Sequence, residues 1–395
     1  MKRLLSALLL CAAFVPVACT GDDAVEAPTV RVSKADGVVH VRVASLAPTD
    51  VRAMTTQQAF TTARAAPPIE LYQVTAARFL PDGRLAVANA GTSEILVLDA
   101  SGGLAQTIGG KGAGPGEFAW ISALDVDTAG TMAAYDPRQG RITRFTTAGD
   151  VIATQTLAPP NRVIDIQPLT LLDDGRFAAV YGDMRVFGAS GEARDTTPLM
   201  VFDAAGTSAD TLGMWAASEW AFRSFEGGAS RANPGFGRTA QYAGRNGRFA
   251  IGSTDSIDVS VFDRSGRLAM RITGGPGGAV SAADVERWRA ELIESYAQMP
   301  EPLRRGLDQV PHRATFPGFE SLVIDDAGRV WIGSHVAPGG AERDWLVLES
   351  DGTPYGRVTL PGDTQLLDAA GDRVALLLRD ELDEPFIRVL RVVPE

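Results

Sequence analysis

Turns in which Asp or Asn stands beside Gly recur along most of the chain and separate short apolar runs from one another. Asp and Asn tolerate positive φ and Gly adopts it freely, so such pairs favour the tight turns that join antiparallel strands. Two series of turns can be followed through the sequence. The first series contains Gly83, Gly130, Gly175, Gly247, Gly328 and Gly371. The second series contains Gly102, Gly149, Gly206, Gly266 and Gly352. The chain is therefore predicted to fold as a succession of short hairpins.

The spacing of the first series indicates how these hairpins are grouped. Successive glycines lie 47, 45, 72, 81 and 43 residues apart, which is a repeat near 45 residues with two enlarged intervals. A repeat of this length is typical of the four-stranded blades of a β-propeller. Six turns predict an all-β, six-bladed β-propeller, in which first-series turns join strands A and B of each blade and second-series turns join strands C and D. Two separate β domains are the alternative.

The predicted boundaries leave one blade incomplete. The propeller spans residues 36–395, with blades at about 75–108, 121–157, 163–212, 238–273, 318–360 and 364–393. The sixth blade lacks a fourth strand, and an open edge would expose unpaired backbone groups. We expect an N-terminal strand to close the ring, with Val38–Val43 as the first candidate and Ile69–Val74 as the second. Residues 47–68, which are rich in Thr and Pro, are predicted to form a loop or an extended linker.

Strands alternate in direction within a blade, so the A–B and C–D turns lie on one face of the disc and the B–C and D–A connections lie on the other. All large insertions fall in these connections, at Asp183–Pro198, Gly213–Gly237 and Gly274–Pro317. The third is predicted to contain a helix between blades 4 and 5, capped by Ser281 with Asp284 in the capping-box position. Long segments on a rigid scaffold commonly carry binding sites, so this face is predicted to be the functional one.

The segment Thr107–Phe118, with the sequence TIGGKGAGPGEF, resembles the glycine-rich loop of NHL-type propellers. The segments Asp125–Asp127, Asp136–Phe145 and Thr147–Gly149 match the rest of such a repeat. Taken whole, the chain resembles bacterial exported six-bladed β-propeller proteins, many of which have no assigned activity. The loop is predicted to turn the chain between blades and not to hold phosphate, because no helix follows it and Lys111 is its only basic residue.

The first 18 residues have the features of a secretory signal peptide. The start is basic, and the apolar run Leu4–Val17 is too short to span a bilayer. Cys19 follows a small residue directly after this run, as in a bacterial lipoprotein cleavage site, although Pro16 stands where that pattern has Leu, Val or Ile. Residues 1–18 are predicted as signal peptide, Cys19 as the lipidation site and residues 19–35 as a tether. Ordinary cleavage and release is the alternative. The predicted location is the cell envelope, as an outer-membrane lipoprotein or a periplasmic protein.

The formal net charge of −11 argues against nucleic acid and anionic lipid headgroups as partners, since both require a basic surface. Membrane contact is therefore expected only through the lipid anchor. The two cysteines, Cys11 and Cys19, lie in the signal region and at its end, so no internal disulfide is expected in the mature domain. We expect a monomer that is stabilised by a large hydrophobic core.

Catalytic motifs are absent from the sequence. It contains neither G-x-S-x-G nor H-E-x-x-H, and no catalytic residue, metal site or cofactor is predicted. Trp and Arg dominate the hot spots of binding interfaces, so the second insertion is the strongest binding signal. The predicted ligand-binding residues are Trp215, Trp220, Arg223, Phe225, His312 and His335.

The leading functional hypothesis is a binding or scaffolding module for a protein, a peptide or a glycan. The alternative is an enzyme, a lyase or a lactonase-like hydrolase, with a metal-assisted site in the central channel. The inner strands would have to supply that site, and they offer mainly Leu124, Asp125, Leu322, Val323, Leu366 and Asp368. His312 and His335 could also ligate a metal together with Asp344 or Asp380, but their spacing does not favour one.

Overall fold

The computed structural model describes residues 29–65, 67–157, 166–172, 175–181, 191–225, 228–304 and 306–395. The predicted signal peptide, Cys19 and the first part of the tether lie outside these ranges. Within them the strands form six antiparallel blades. The innermost strand of each blade contacts the innermost strand of the next, and the sixth contacts the first. The predicted all-β, six-bladed β-propeller is therefore confirmed.

The strands are numbered in chain order. Three precede the first blade: β1 (Val30–Ala35), β2 (Val38–Val43) and β3 (Ala53–Thr61). Blade 1 contains β4 (Val74–Phe79), β5 (Leu85–Asn89), β6 (Glu94–Leu98) and β7 (Leu104–Gly109). Blade 2 contains β8 (Ala123–Val126), β9 (Met132–Asp136), β10 (Arg141–Phe145) and β11 (Val151–Thr156). Blade 3 contains β12 (Ile166–Leu171), β13 (Phe177–Tyr181), β14 (Gly191–Phe202), β15 (Ala209–Phe225) and β16 (Gly228–Ala232).

The second half of the ring follows the same order. Blade 4 contains β17 (Ala240–Arg245), β18 (Arg248–Ser253), β19 (Asp258–Phe262) and β20 (Leu268–Gly274). Blade 5 contains β21 (Ser321–Ile324), β22 (Val330–Gly333), β23 (Glu342–Leu348) and β24 (Pro354–Pro361). Blade 6 contains β25 (Gln365–Ala370), β26 (Arg373–Arg379) and β27 (Pro385–Pro394).

The fourth strand of blade 6 is β3, which pairs antiparallel with β27 from Thr61 opposite Arg388 to Met54 opposite Pro394. Neither of the two predicted segments is the strand that closes the ring. Val38–Val43 is β2 and pairs in parallel with β20 of blade 4, while Ile69–Val74 leads into β4. The prediction that residues 47–68 form a loop or an extended linker is wrong for Ala53–Thr61, which form β3. Its β-branched Thr residues suit a strand once the unpaired edge of β27 is available to them.

The predicted tether is too long at its C-terminal end. Its last six residues, Val30–Ala35, form β1 and pair with β2. Asp36 and Gly37 join the two strands with φ values of 50° and 80°, which is the two-residue Asp-Gly turn of a tight hairpin. Strand β2 runs parallel to β20, and β1 runs antiparallel to β2 with Val30 opposite Val43. The chain therefore enters the fold at the end of blade 4 that carries the B–C and D–A connections.

The hydrophobic core lies between neighbouring blades. All five residues of β5 are buried, because sheets cover this strand on both faces. Stacked aromatic rings contribute to this core. Phe177 stacks on Phe202 with ring centroids 4.8 Å apart, and Phe249 stacks on Phe262 at 5.2 Å. Each blade therefore packs mainly against its two neighbours.

The turns have the predicted backbone geometry. All eleven glycines of the two series have φ between 58° and 93°, a region that residues with a Cβ rarely adopt. Asp side chains close several of these turns from within. The Oδ1 atom of Asp99 accepts hydrogen bonds from Ser101 N at 2.7 Å and Gly103 N at 3.0 Å. The hydrogen bonds from Ser101 hold the pKa of Asp99 below its usual value.

The insertions form regular structure, and the part of the first at 183–190 lies outside the described residues. Strands β14 and β15 continue beyond the blade as a hairpin, and β16 pairs with the end of β15. We call residues 191–197, 216–225 and 228–232 the tongue. The third insertion contains helix α1 (Ala282–Ser295), helix α2 (Glu301–Arg304) and a 3₁₀ turn at Leu307–Gln309. The predicted cap is confirmed, since Ser281 and Asp284 form a capping box.

Candidate functional site

The two faces of the disc carry elements of different length. The turn face carries the A–B and C–D turns. The long-element face carries the tongue, the segment 275–320 with α1, and the B–C loops. Strand direction places these elements on one face, because β15 and β20 both run towards it from C–D turns. The long-element face therefore carries the long connections that the structure describes.

The tongue carries a polar and aromatic arrangement around Trp220, which is half-buried. Trp220 of β15 lies opposite Ala193 of β14 in the hairpin register. Its indole Nε1 donates a 2.6 Å hydrogen bond to Asp195, and the guanidinium of Arg231 lies 4.1 Å from the centre of its ring. These two contacts hold the Trp220 side chain in place, and the residue remains partly exposed.

Ion pairs fasten the tongue to the neighbouring elements. Arg194 donates two hydrogen bonds to Asp255 of blade 4, at 2.8 and 2.6 Å. These bonds hold the pKa of Asp255 down to about 2. Arg313 of the third insertion binds both Glu219 at 3.0 Å and Glu192 at 2.8 Å. The tongue is thus tied on one side to blade 4 and on the other to the insertion that contains α1.

A row of aromatic rings lies beneath α1. Phe236 contacts Trp288 with ring centroids 5.9 Å apart and Phe316 at 5.1 Å. His335 stacks on Phe316 at 4.9 Å, and His312 lies 6.5 Å from Trp288 at the other end. The close approach of Trp288 requires Gly235, because a Cβ there would lie 2.7 Å from the indole ring. We call these five rings the aromatic row.

His335 also belongs to a charged group at the edge of the row. Its Nδ1 atom lies 3.2 Å from Glu320 Oε2, and Arg343 approaches the same oxygen at 3.3 Å. Burial acts to raise the pKa of Glu320. The contact with His335 and the charge of Arg343 outweigh that effect, so the pKa lies below its usual value. The carboxylate therefore remains charged beside the imidazole ring.

The predicted ligand-binding residues whose side chains are described fall into three places. Trp215 lies at the base of the tongue and packs edge-on against Phe262, with ring centroids 6.3 Å apart. Trp220 lies on the tongue itself. The two histidines lie at the two ends of the aromatic row. Strand β15 also includes Arg223 and Phe225, whose side chains lie outside what the structure describes.

The central channel contains a cavity of about 220 Å³ that the innermost strands surround. We call it the upper channel. Towards the long-element face its lining includes five polar or amphipathic side chains: Thr75, Ser122, Gln167, Tyr242 and Gln365. Apolar side chains line it lower down, among them Leu124, Leu169 and Leu322. Tyr242 is 39% exposed and Gln365 is also exposed, so this end of the cavity is open to solvent.

Buried polar groups close the channel towards the turn face. Asp368 of blade 6 is completely buried and accepts hydrogen bonds from Arg245 of blade 4 at 2.6 Å and from the backbone N of Phe79 of blade 1 at 2.7 Å. Arg78 of blade 1 reaches across the channel to the carbonyl oxygen atoms of Leu367 at 2.9 Å and Gly244 at 3.4 Å. These contacts join blades 1, 4 and 6 directly.

The same layer continues through blades 2 and 3. Asp125 Oδ2 accepts hydrogen bonds from the Thr170 hydroxyl at 2.8 Å and from Leu171 N at 2.9 Å. The Thr170 oxygen in turn accepts one from Gly247 N of blade 4 at 2.9 Å. We call this layer the polar belt; it consists of Arg78, Asp125, Thr170, Arg245 and Asp368. It separates the upper channel from a second cavity of about 350 Å³ at the turn face.

The rim of the upper channel was not predicted from the sequence, although a signal was present. Thr75, Ser122 and Gln167 each stand eight residues before a first-series glycine, so they occupy the same place in blades 1 to 3. The inner-strand positions that were named all lie where expected. Leu124, Asp125, Leu322, Val323 and Leu366 line the cavity, and Asp368 lies in the belt.

The glycine-rich loop is closed by its own residues. Glu117 Oε2 accepts a 2.7 Å hydrogen bond from Gly114 N, and Arg141 donates to the carbonyl oxygen atoms of Gly114 and Glu117, at 2.7 Å each. A carboxylate therefore occupies the position that an anion would take in a phosphate-binding loop. This geometry agrees with the prediction that the loop turns the chain between blades and does not hold phosphate.

Among the described residues there is no group of three or more His, Cys, Asp or Glu side chains that could hold a metal ion. None of the helices in the described part of the chain is long and apolar enough to cross a membrane.

Comparison with known proteins agrees with the fold. Residues 70–192 match the model of the DUF5128 family, which is described as a six-bladed β-propeller. This match covers blades 1 and 2 and the first part of blade 3. No curated protein matches the sequence. Together with the strand pairing, the match defines this chain as a six-bladed β-propeller that is open at the long-element face.

Solved structures with a similar arrangement are distant in sequence. A candidate exported protein from Bacteroides fragilis is 13% identical with a TM-score of 0.47, over 88% of this chain and 98% of that one. A DUF4221 family member from Bacteroides vulgatus is 8% identical with a TM-score of 0.46, over 87% and 98%. A gluconolactonase from Xanthomonas campestris is 13% identical with a TM-score of 0.38, over 82% and 87%.

Proposed function

We propose that this chain is an exported, lipid-anchored β-propeller that binds a protein, peptide or glycan ligand through its long-element face. The observation that carries the proposal is the difference between the two ends of the channel. The polar belt closes the end at the turn face, whereas the tongue and the aromatic row belong to the face at which the channel is open. A ligand that enters the channel would therefore approach it from the long-element face.

Recognition at the tongue rests on Trp220. Amphipathic rings such as Trp, supported by neighbouring Arg, supply most of the free energy of many interfaces. Trp220 is held by Asp195 and Arg231, so little conformational entropy is lost when a ligand packs on it. The opposite face has short turns whose Asp side chains are occupied by their own backbone amides, as at Asp99.

Export and anchoring rest on the N-terminal sequence. A basic start, a short apolar run and Cys19 after a small residue together indicate a lipoprotein signal. Nine residues separate Cys19 from Thr29, where the described fold begins, so the two positions lie at most about 36 Å apart when this stretch is extended. Since the chain enters at the long-element end of blade 4, a lipid on Cys19 would hold the ligand-binding face near the membrane.

The binding proposal can be tested with arrays of peptides and glycans probed with the purified full chain. For any ligand found, Trp220→Ala should weaken binding by about thirty-fold, which corresponds to roughly 2 kcal/mol for a buried Trp anchor. Arg84→Ala on the turn face is the matched control. The Arg84 side chain contacts only the neighbouring Asp82 among the contacts described, so its removal should leave the affinity unchanged. The reverse pattern would contradict the choice of face.

Lipidation can be tested by metabolic labelling with a palmitate analogue. The wild type should carry the label and fractionate with membranes, and Cys19→Ala should lose both properties because the acylated thiol is gone. An unlabelled, freely soluble wild type would contradict the anchor and leave the binding proposal untouched.

A further inference from the structure

We propose that the upper channel binds one neutral sugar ring, either as a free sugar or as the terminal unit of a glycan. This inference rests on the proposed function and assigns a ligand class to the open end of the channel. It depends on the size of the cavity, on the charge of its walls and on the hydrogen-bonding groups that line it.

The size favours one ring. Pockets for drug-sized ligands have volumes of roughly 300–1,000 Å³. The upper channel has a volume of about 220 Å³, so it would enclose a single ring and leave the rest of a larger ligand outside. A folded protein surface could not enter it, and a chain of residues could insert only its end.

The rim is neutral and offers both donors and acceptors. Gln167 and Gln365 carry amides, Ser122 and Thr75 carry hydroxyls, and Tyr242 carries a phenol. The Thr75 hydroxyl donates a 2.8 Å hydrogen bond to Ile121 O, which leaves its lone pairs directed elsewhere. Ser122 Oγ is buried and has no hydrogen-bond partner among the described residues. The rim therefore suits a ligand with many uncharged polar groups.

The floor balances its charges and retains hydrogen-bonding capacity. Arg78 and Asp125 both reach the upper channel from the polar belt. Asp125 is 8% exposed, and its Oδ1 atom has no partner in the described part of the chain. A buried acceptor without a partner is costly, so a group that donates to it gains affinity. Because Arg78 and Asp125 carry opposite charges, the floor of the upper channel favours neither an anion nor a cation.

Hydroxyl groups satisfy these requirements together. Each hydroxyl donates one hydrogen bond and accepts two, so neighbouring hydroxyls on one ring can donate to Asp125 Oδ1 and accept from Arg78. The C–H face of a sugar ring is apolar and matches Leu169, Leu322 and the partly exposed ring of Tyr242. A peptide carries fewer hydroxyls, and its ends are charged.

The test measures binding to the full chain by saturation-transfer NMR and calorimetry. The probes are methyl glycosides of glucose, galactose, mannose and N-acetylglucosamine, the corresponding uronic acids and amino sugars, and disaccharides that end in the same neutral rings. We expect at least one neutral ring to bind more tightly than its charged counterparts. Comparable affinity for the methyl glycoside and the disaccharide would identify a free sugar, and tighter binding of the disaccharide would identify the end of a glycan.

Two substitutions locate the binding. Gln365→Trp adds a large ring at an exposed rim position and should weaken binding at least ten-fold by blocking the entrance. Thr128→Trp is the matched control, since Thr128 is exposed and lines the cavity on the other side of the belt; it should leave affinity unchanged. Asp125→Asn, which keeps the shape of the side chain, should also weaken binding at least ten-fold.

Several results would overturn the inference. These are the absence of binding by every neutral sugar, a preference for charged sugars, or equal affinity in wild type and Gln365→Trp. If array ligands bind in a manner that depends on Trp220 while no sugar enters the channel, the inference falls and the proposed function stands. If a sugar binds in the channel but Trp220→Ala affects no ligand, the role of the tongue falls instead. If neither arrays nor sugars bind, both fall.

Discussion

The two ends of the channel are built from the same six strands and have different chemistry. At the turn face, Asp368 and Arg245 are almost inaccessible to solvent and join blades that are distant in sequence. At the long-element face, the first residues of the same strands are neutral and partly exposed, as Tyr242 and Gln365 are. Within one strand, β25, the chain passes from exposed Gln365 to buried Asp368 in three residues.

This difference separates stability from recognition. Charged groups without solvent must be satisfied by fixed partners, so the belt allows little change in position. Neutral groups at an open rim can exchange water for a ligand with little loss. The tongue and α1 extend the rim outwards on contacts that are more exposed, such as Arg194 with Asp255. If the two ends are separate units, a substitution at one end should leave the other end undisturbed.

The largest effect on stability is expected from Asp368→Ala. It leaves the buried guanidinium of Arg245 without its carboxylate, and breaking a buried pair in this way costs about 3–5 kcal/mol. Urea unfolding measures the change. Asp372→Ala is the matched control, because its partner Arg391 is exposed and such a pair contributes about 0–1 kcal/mol. Equal losses in the two variants would show that the belt has no special role.

A more local effect is expected from Phe236→Ala. Phe236 is 7% exposed and contacts Trp288, Phe316 and His335, so its loss leaves a cavity under α1. Hydrogen exchange should become at least ten-fold faster in residues 282–295 and remain unchanged in β5, since local opening needs less free energy than global unfolding. Uniformly faster exchange in both segments would mean that the two ends form one cooperative unit.

The smallest effect is expected from Asp255→Asn, and it depends on pH. The folded state lowers the pKa of Asp255 to about 2 from the ordinary value of 3.8, mainly through the hydrogen bonds from Arg194. Its stabilising contribution is therefore complete above about pH 4 and is lost as the pH falls towards 2. The pair is partly exposed, so the contribution is at most about 1 kcal/mol.

Urea midpoints of the wild type and Asp255→Asn at pH 6, 4 and 3 measure this contribution. The difference between the two proteins should be constant from pH 6 to 4 and shrink below pH 4. A difference that grows on acidification would contradict the assigned direction of the pKa.

Much of the fold could be predicted because its signals are local. A tight hairpin needs Gly at positive φ, so Gly83, Gly130 and their counterparts mark the blades by themselves. The cap of α1 is also local, since Ser281 and Asp284 are three residues apart. The strand that closes the ring could not be chosen in this way. The residues of β3 were not predicted as a strand, because only the open edge of β27, which is distant in sequence, gives them a partner.

The candidate site could also be predicted only where its signals are local in the sequence. Sequence pointed to the long insertions and to Trp220, and the face that carries them follows from counting residues between turns. The polar belt depends on Arg78, Arg245 and Asp368, which are up to 290 residues apart and meet only because the ring closes. Sequence by itself determined the repeat, the blade count and the side of the disc that is elaborated. Tertiary structure alone decided which end of the channel is sealed, because that depends on side chains from blades opposite one another reaching a common axis.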